Sequence, residues 1–161
     1  MSAAILGSEQ HEEDEVNATT RYPSTQAPTP ASARIRVSEA MSDGVLTCRR
    51  DESLSEVAAL MARRHVHCVV VTDDLNGENP LWGIVSDLDL AAASSVRDLA
   101  EQTAGGTAAT AVLTVSPDET VQRAAQLMTE HGTAHLVVVD SERRPIGVIS
   151  TLDVAAALEE R

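Results

Sequence analysis

GIVSDLDLAAA occupies residues 83–93, and GVISTLDVAAA follows 64 positions later at residues 147–157. In both phrases a glycine opens a short β-branched run, and a Ser-x-x-Asp spacing then leads into alanine-rich sequence. The first half reads as a strand. The second reads as a helix start, because Ser and Asp three apart form a capping box. The repetition extends outward. TCRRDESLSEVAALM (47–61) lies over TVSPDETVQRAAQLM (114–128), and VVVTD (69–73) over LVVVD (136–140), both 67 positions apart. The three-residue difference falls in the loop before the glycine phrases. Two copies at so long a period fit a two-unit body better than a solenoid.

Each copy reads as β-α-β-β-α. First strands are expected near 45–48 and 112–115. The next helix carries apolar residues at Leu54, Val57, Ala58 and Met61, matched by Val121, Ala124, Ala125 and Met128, which is the i, i+3, i+4, i+7 stripe of one helical face. Ser53 with Glu56 predicts a capping box, and Thr120 the corresponding cap. Second strands are expected at 66–71 and 136–139, then turns at LNGEN (75–79) and SERRP (141–145). Strands flanking a short turn pair antiparallel, whereas a strand–helix–strand crossing gives parallel neighbours. The expected class is α/β (α+β), with helices packed on sheet. Residues 34–94 form the first repeat and 95–161 the second. TAGGTAAT (103–110) reads as an insertion that loosens the approach to the second unit's first strand. Residues 1–33, with HEEDE (11–15) and a Pro/Ser/Thr-rich stretch, lack apolar periodicity and read as a disordered arm, either a solubilising tail or a docking segment.

The 161 residues carry a formal charge of −13. That field repels phosphate backbones and argues against nucleic-acid binding, while leaving room for a small anionic ligand in a local pocket. The longest apolar runs are strand-length, which argues against a membrane span. Two cysteines are too few for a disulfide framework, and a cytoplasmic protein is expected. With one Trp, one Tyr and no Phe, the core must be aliphatic.

The tandem β-α-β-β-α units, with VVVTD or LVVVD before the turn and G-h-h-S-x-x-D after it, resemble a pair of cystathionine beta-synthase (CBS) domains, or Bateman module, over residues 35–160. The resemblance implies two units packed through their sheets about a pseudo-twofold axis, and association of two such pairs into a homodimer. It implies clefts for adenosine-containing ligands such as AMP, ADP, ATP or S-adenosylmethionine. The motif Asp residues, Asp89 and Asp153, would hold ribose hydroxyls, and Ser86 and Ser150 would sit beside phosphate. It places Val45 and Val112 on the first strands, and Val70 and Val137 on the second, along the cleft. The last two stand where the family often has proline. Arg63, Arg64 and His65 end the first helix, where the family often places basic residues. Of their counterparts at 129–132 only His131 can carry positive charge, so the two sites are expected to differ toward polyphosphates.

The residue chemistry is consistent with this. A carboxylate accepts two hydrogen bonds from a cis-diol, and a helix start favours phosphate. Yet Ser-x-x-Asp is equally a helix cap that binds nothing. Two functions therefore stay open: a regulatory module that binds an adenosyl ligand and signals to an effector protein, and a ligand-free dimerisation scaffold. HVHC (65–68) puts His65 and His67 on one face of an expected strand, short of the three or four ligands a zinc site needs, so no metal is expected even with His131 and His135 nearby. No P-loop, dinucleotide fingerprint, nucleophile elbow or HExxH occurs. Asp87 and Asp89 lack an evident acid–base partner. Neither catalysis nor a required cofactor is expected.

Overall fold

A computed structural model describes residues 34–73 and 81–159. The expected arm, the turn at 75–79 and the last two residues lie outside the described residues. The elements are α1 (Val37–Ala40), β1 (Ser42–Asp43), β2 (Thr47–Arg49), α2 (Leu54–Arg64), β3 (Cys68–Thr72), β4 (Leu81–Ser86), α3 (Asp87–Ser94) and a 3-10 turn (Leu99–Glu101). Then come α4 (Ala104–Thr107), β5 (Thr114–Val115), α5 (Val121–His131), β6 (His135–Val139), β7 (Pro145–Ser150) and α6 (Thr151–Glu159).

The strands form two sheets, β2-β3-β4 and β1-β7-β6-β5. In each, the strand before the long helix runs parallel to its neighbour, and the pair around the turn is antiparallel. The long helices start and stop where local chemistry dictates. Ser53 Oγ accepts from the Glu56 N–H, and Glu56 returns a bond to the Ser53 N–H. Thr120 Oγ1 accepts from the Arg123 N–H. Both helices end at a left-handed residue, His65 (φ 55°) and Gly132 (φ 64°). Because His65 turns the chain, β3 begins at Cys68, later than the periodicity suggested. The first strands are also shorter than expected, although the bonds Val70 N–H to Leu46 O and Val137 N–H to Leu113 O prolong each ladder by one residue.

Each sheet packs its helices over an aliphatic core. Leu54, Val57, Met61, Val69, Val71 and Val85 fill the first. Val121, Ala124, Met128, Leu136, Val138 and Ile149 fill the second. Successive strand residues face opposite sides. Val70 and Val137 therefore point away from their own helices, yet both are fully buried. The two sheets cover each other on that side.

The segment read as an insertion, 103–110, is instead the repeat counterpart of residues 36–43. Arg36 and Thr103 flank the helix starts, and Val37 and Ala104 are both fully buried. Arg36 bridges to Thr120, and Thr103 to Ser53, at equivalent positions. Both segments act as straps that cross to the other unit. Val37 sits in the second core and its amide donates to Glu119 O, while Ala104 sits in the first and donates to Glu52 O. Met41 and Ser42 press on Gly147, and Ala108 and Ala109 on Gly83. A Cβ at Gly83 would lie 2.8 Å from the Ala108 Cβ, and one at Gly147 2.8 Å from the Met41 Sδ. The glycine that opens each phrase makes room for a strap.

Candidate functional site

The two Ser-x-x-Asp motifs are built alike. At the β4–α3 junction, Asp89 Oδ2 accepts from the Ser86 N–H (2.7 Å) and Ser86 Oγ (2.6 Å), while the Asp89 N–H donates to Ser86 Oγ (3.2 Å). At β7–α6 the matching distances for Ser150 and Asp153 are 2.7, 2.7 and 3.3 Å. Both motifs are therefore capping boxes. In each, the bonds from serine fall on one carboxylate oxygen, Oδ2. A carboxylate offers about four acceptor sites, so capping leaves capacity for a ligand.

The Ser150–Asp153 motif opens onto a cavity of about 390 Å³ whose walls come from both units. The β1 strap and the connector after it contribute Asp43, Gly44 and Leu46. The end of α2 and the start of β3 contribute Arg64, His65, Val66, His67 and Cys68. His135 and Val148 complete the wall on the second sheet, and Leu152 lies at the α6 start. Of the residues expected at a site, Arg64, His65, Ser150 and Asp153 thus share one cavity. Val45 is half-buried beside Leu46, which takes the place in the wall. Val70 is sealed between the sheets behind the cavity, as is Val137. Ser86, Asp89, Val112 and His131 are the counterparts in the sequence repeat of Ser150, Asp153, Val45 and Arg64.

Sequence reasoning missed the strap residues and weighed His67, Cys68 and His135 only as metal ligands, not as walls of a ligand cavity. The strap carried no signal in residue identity, since RVSEAMSDG (36–44) and TAGGTAATA (103–111), 67 positions apart, match at no position. The histidines carried none either, because their cavity is assembled from distant segments.

Where β3 and β6 begin, titratable groups from both units converge. His67 Nδ1 lies 2.8 Å from Asp87 Oδ2, and this bond holds the Asp87 carboxyl below its ordinary value. His135 is held below the usual imidazole value, chiefly by burial, although Asp87, Asp153 and Asp89 all favour its proton. Burial, with Asp87 and Asp153 nearby, pushes the Cys68 thiol up to about 12. Among the described residues no group of three or more His, Cys, Asp or Glu is arranged to hold a metal ion, and no helix is long and apolar enough to cross a membrane.

The family model of the CBS domain matches residues 37–96 and again 107–160. The chain belongs to the CBS domain family. Among curated relatives, it is 31% identical over 127 residues to a protein named homoserine O-acetyltransferase from Methanosarcina acetivorans. The match takes in 77% of this chain and 22% of that relative, so the CBS pair corresponds to about a fifth of the longer protein. Among solved structures, the CBS domain pair of protein MJ0100, in complex with 5′-methylthioadenosine and S-adenosyl-L-methionine, superposes with a TM-score of 0.68 at 23% identity, covering 75% of this chain and 97% of that one. CBSX2 in complex with AMP gives 0.64 at 24% identity, covering 76% and 95%. At these identities the structures establish the shared CBS-pair fold.

Proposed function

We propose that this CBS pair is a regulatory module that binds an adenosine-containing ligand, AMP, ADP, ATP or S-adenosylmethionine, and passes the bound state to an effector protein. The observation that carries the reading is the cavity at Asp153. It joins a carboxylate with unused acceptor capacity, the start of α6, an aliphatic wall and a basic helix end, drawn from both units. The adenosyl ligands in the MJ0100 and CBSX2 complexes support the same ligand class. The ribose diol would meet the Asp153 carboxylate and the base the Leu46, Val66 and Val148 side chains.

Signalling follows from the strap. Asp43 and Gly44 line the cavity, and α1 just before them docks on the second core. A ligand touching the strap favours one packing of strap and units, and the outer surface shifts with it. That surface includes Leu88 (75% exposed) and Leu152 (69% exposed) at equivalent places on α3 and α6, each beside exposed alanines. These apolar faces suit a second copy of the chain, giving a homodimer. They also support the second reading, a dimerisation scaffold in which the serines and aspartates only cap helices.

Thermal unfolding with AMP, ADP, ATP, S-adenosylmethionine and a guanosine control separates the readings. A ligand at 100 times its dissociation constant stabilises by about 2.7 kcal/mol, a shift of several degrees for a domain of this size. A shift confined to adenosyl compounds supports the sensor. No shift at millimolar concentration leaves the scaffold.

A further inference from the structure

The two straps dock alike but leave different corners behind them. The Ser38 N–H donates to Pro117 O (3.0 Å), and the Gly105 N–H to Arg50 O (2.9 Å). In the second unit the strap's own side chains occupy the corner. Arg36 sends its guanidinium to the Asp118 carbonyl (2.6 Å), and the Glu39 carboxylate accepts from the Arg36 N–H (2.6 Å). In the first unit Thr103, Gly105 and Gly106 take the places of Arg36, Ser38 and Glu39. A cavity of about 600 Å³ lies there, lined by these three residues and by two ion pairs. Arg49 Nε is 3.1 Å from Asp51 Oδ1, and Arg50 Nη1 is 2.7 Å from Asp73 Oδ2. This cavity lies at the Thr72 end of β3, whereas the Asp153 cavity lies at the Cys68 end.

The first corner carries charge of both signs. Arg49 and Arg50 stand where the second unit has Ser116 and Pro117, while Asp51 and Asp73 are matched by Asp118 and Asp140. Arg50 is fixed between Asp73 and the Trp82 ring, whose centroid lies 3.5 Å from its guanidinium carbon. Arg49 and Asp51 are exposed, and the bond from Arg49 holds the Asp51 carboxyl below its ordinary value. An exposed ion pair contributes little to stability, so this one opens readily to a ligand. A ligand with a single charge takes one partner of the pair and leaves the other unpaired beside it. A zwitterion meets both, its anion on the guanidinium fork and its cation on a carboxylate. The paired atoms are 3.1 Å apart, which calls for ligand charges carried on neighbouring atoms, as in an α-amino acid. An ammonium has three N–H donors to offer the aspartates, which a quaternary ammonium lacks.

We propose that this corner is a second binding site, for a free α-amino acid, with its carboxylate on Arg49, its ammonium on the Asp51 and Asp73 carboxylates, and its side chain in the space that Gly105 and Gly106 leave open. The site does not depend on the adenosyl reading of the Asp153 cavity.

The test is calorimetric titration of the full chain with each standard L-α-amino acid, then with the N-acetyl and carboxamide forms of those that bind. At least one free amino acid is expected to bind at millimolar concentration or below, and removing either charge is expected to weaken it about tenfold or more. Arg49→Gln, at an exposed position away from both cores, is expected to do the same. Thr103→Arg with Gly106→Glu copies the Arg36–Glu39 pair of the other strap, and is expected to abolish binding by filling the corner while cooperative unfolding is retained. If no amino acid gives heat with the parent chain, the proposal is overturned. An N-acetyl or carboxamide form that binds as tightly as the free compound also overturns it, since the corner would then take a single charge. So does unchanged binding in the filled-corner variant, because the ligand would lie elsewhere. AMP titrated into the same variants reads the Asp153 cavity and is expected to be unaffected, so the two readings fail separately.

Discussion

The two CBS units share a plan and differ in what fills it. Their capping boxes agree within about 0.1 Å bond by bond. The straps that cross between them, the residues that end their long helices and the groups that open their second strands do not agree. Duplication has kept backbone-directed chemistry, which any copy needs in order to fold. Among the side chains at the ends of the long helices and the starts of the second strands, the basic ones have diverged: Arg64, His65 and His67 stand where the other half has His131, Gly132 and Ala134.

The straps offer the largest test of this comparison. At Gly83 an added methyl meets the Ala108 Cβ at 2.8 Å and the Ala109 carbonyl oxygen at 3.0 Å, neither of which can rotate away. At Gly147 the nearest atom is the thioether sulfur of Met41, the end of a flexible side chain, although the Ser42 carbonyl also lies at 3.0 Å. Overpacking of this kind costs about 1–3 kcal/mol. Gly83→Ala is expected near the upper end and Gly147→Ala near the lower in urea unfolding. Equal losses would mean that the two straps are equally yielding.

The helix ends come next. His65 and Gly132 adopt the same left-handed conformation, which suits glycine and strains a residue bearing a Cβ. His65→Gly is expected to stabilise the fold by about 0.5–1 kcal/mol, and Gly132→His to destabilise it by a similar amount. The first change should also weaken AMP binding if His65 meets the phosphate. A histidine kept at a strained position, where its counterpart is glycine, is what a ligand contact would require.

The smallest effect concerns the equivalent pair Cys68 and His135. Burial favours neutral His135, so the folded chain takes up its proton less readily than the unfolded chain does. His135 therefore leaves stability intact above the ordinary imidazole value of about 6.5. It lowers stability as pH falls toward and through the depressed folded value. Stability measured between pH 7.5 and 5 should fall less steeply in His135→Asn than in the parent. Cys68→Ala should leave the slope unchanged, because a thiol pushed up to about 12 does not titrate in that range.

Much of this was legible in the residues. Ser53 with Glu56, and Ser86 with Asp89, announced helix starts because a cap is a local bond across three residues. Leu54, Val57 and Met61 announced a buried face because helical periodicity is local too. What went unread was weakly local. A strap helix of four residues is too short to show a period or to hold itself together. It forms because Val37 and Ala104 find cavities in the opposite cores and their amides find carbonyls there.

The sequence by itself determined the duplication, the β-α-β-β-α order, the aliphatic cores and the chemistry of the two Ser-x-x-Asp phrases. Each is written in neighbouring residues or in a comparison of the chain with itself. Only the tertiary structure decided that Arg64 and His65, at the end of α2, share a cavity with Asp153 of the other unit. That choice follows from burying Val70 and Val137 between two sheets and from passing each strap to the other unit. Both depend on surfaces that exist only once the halves have folded against one another.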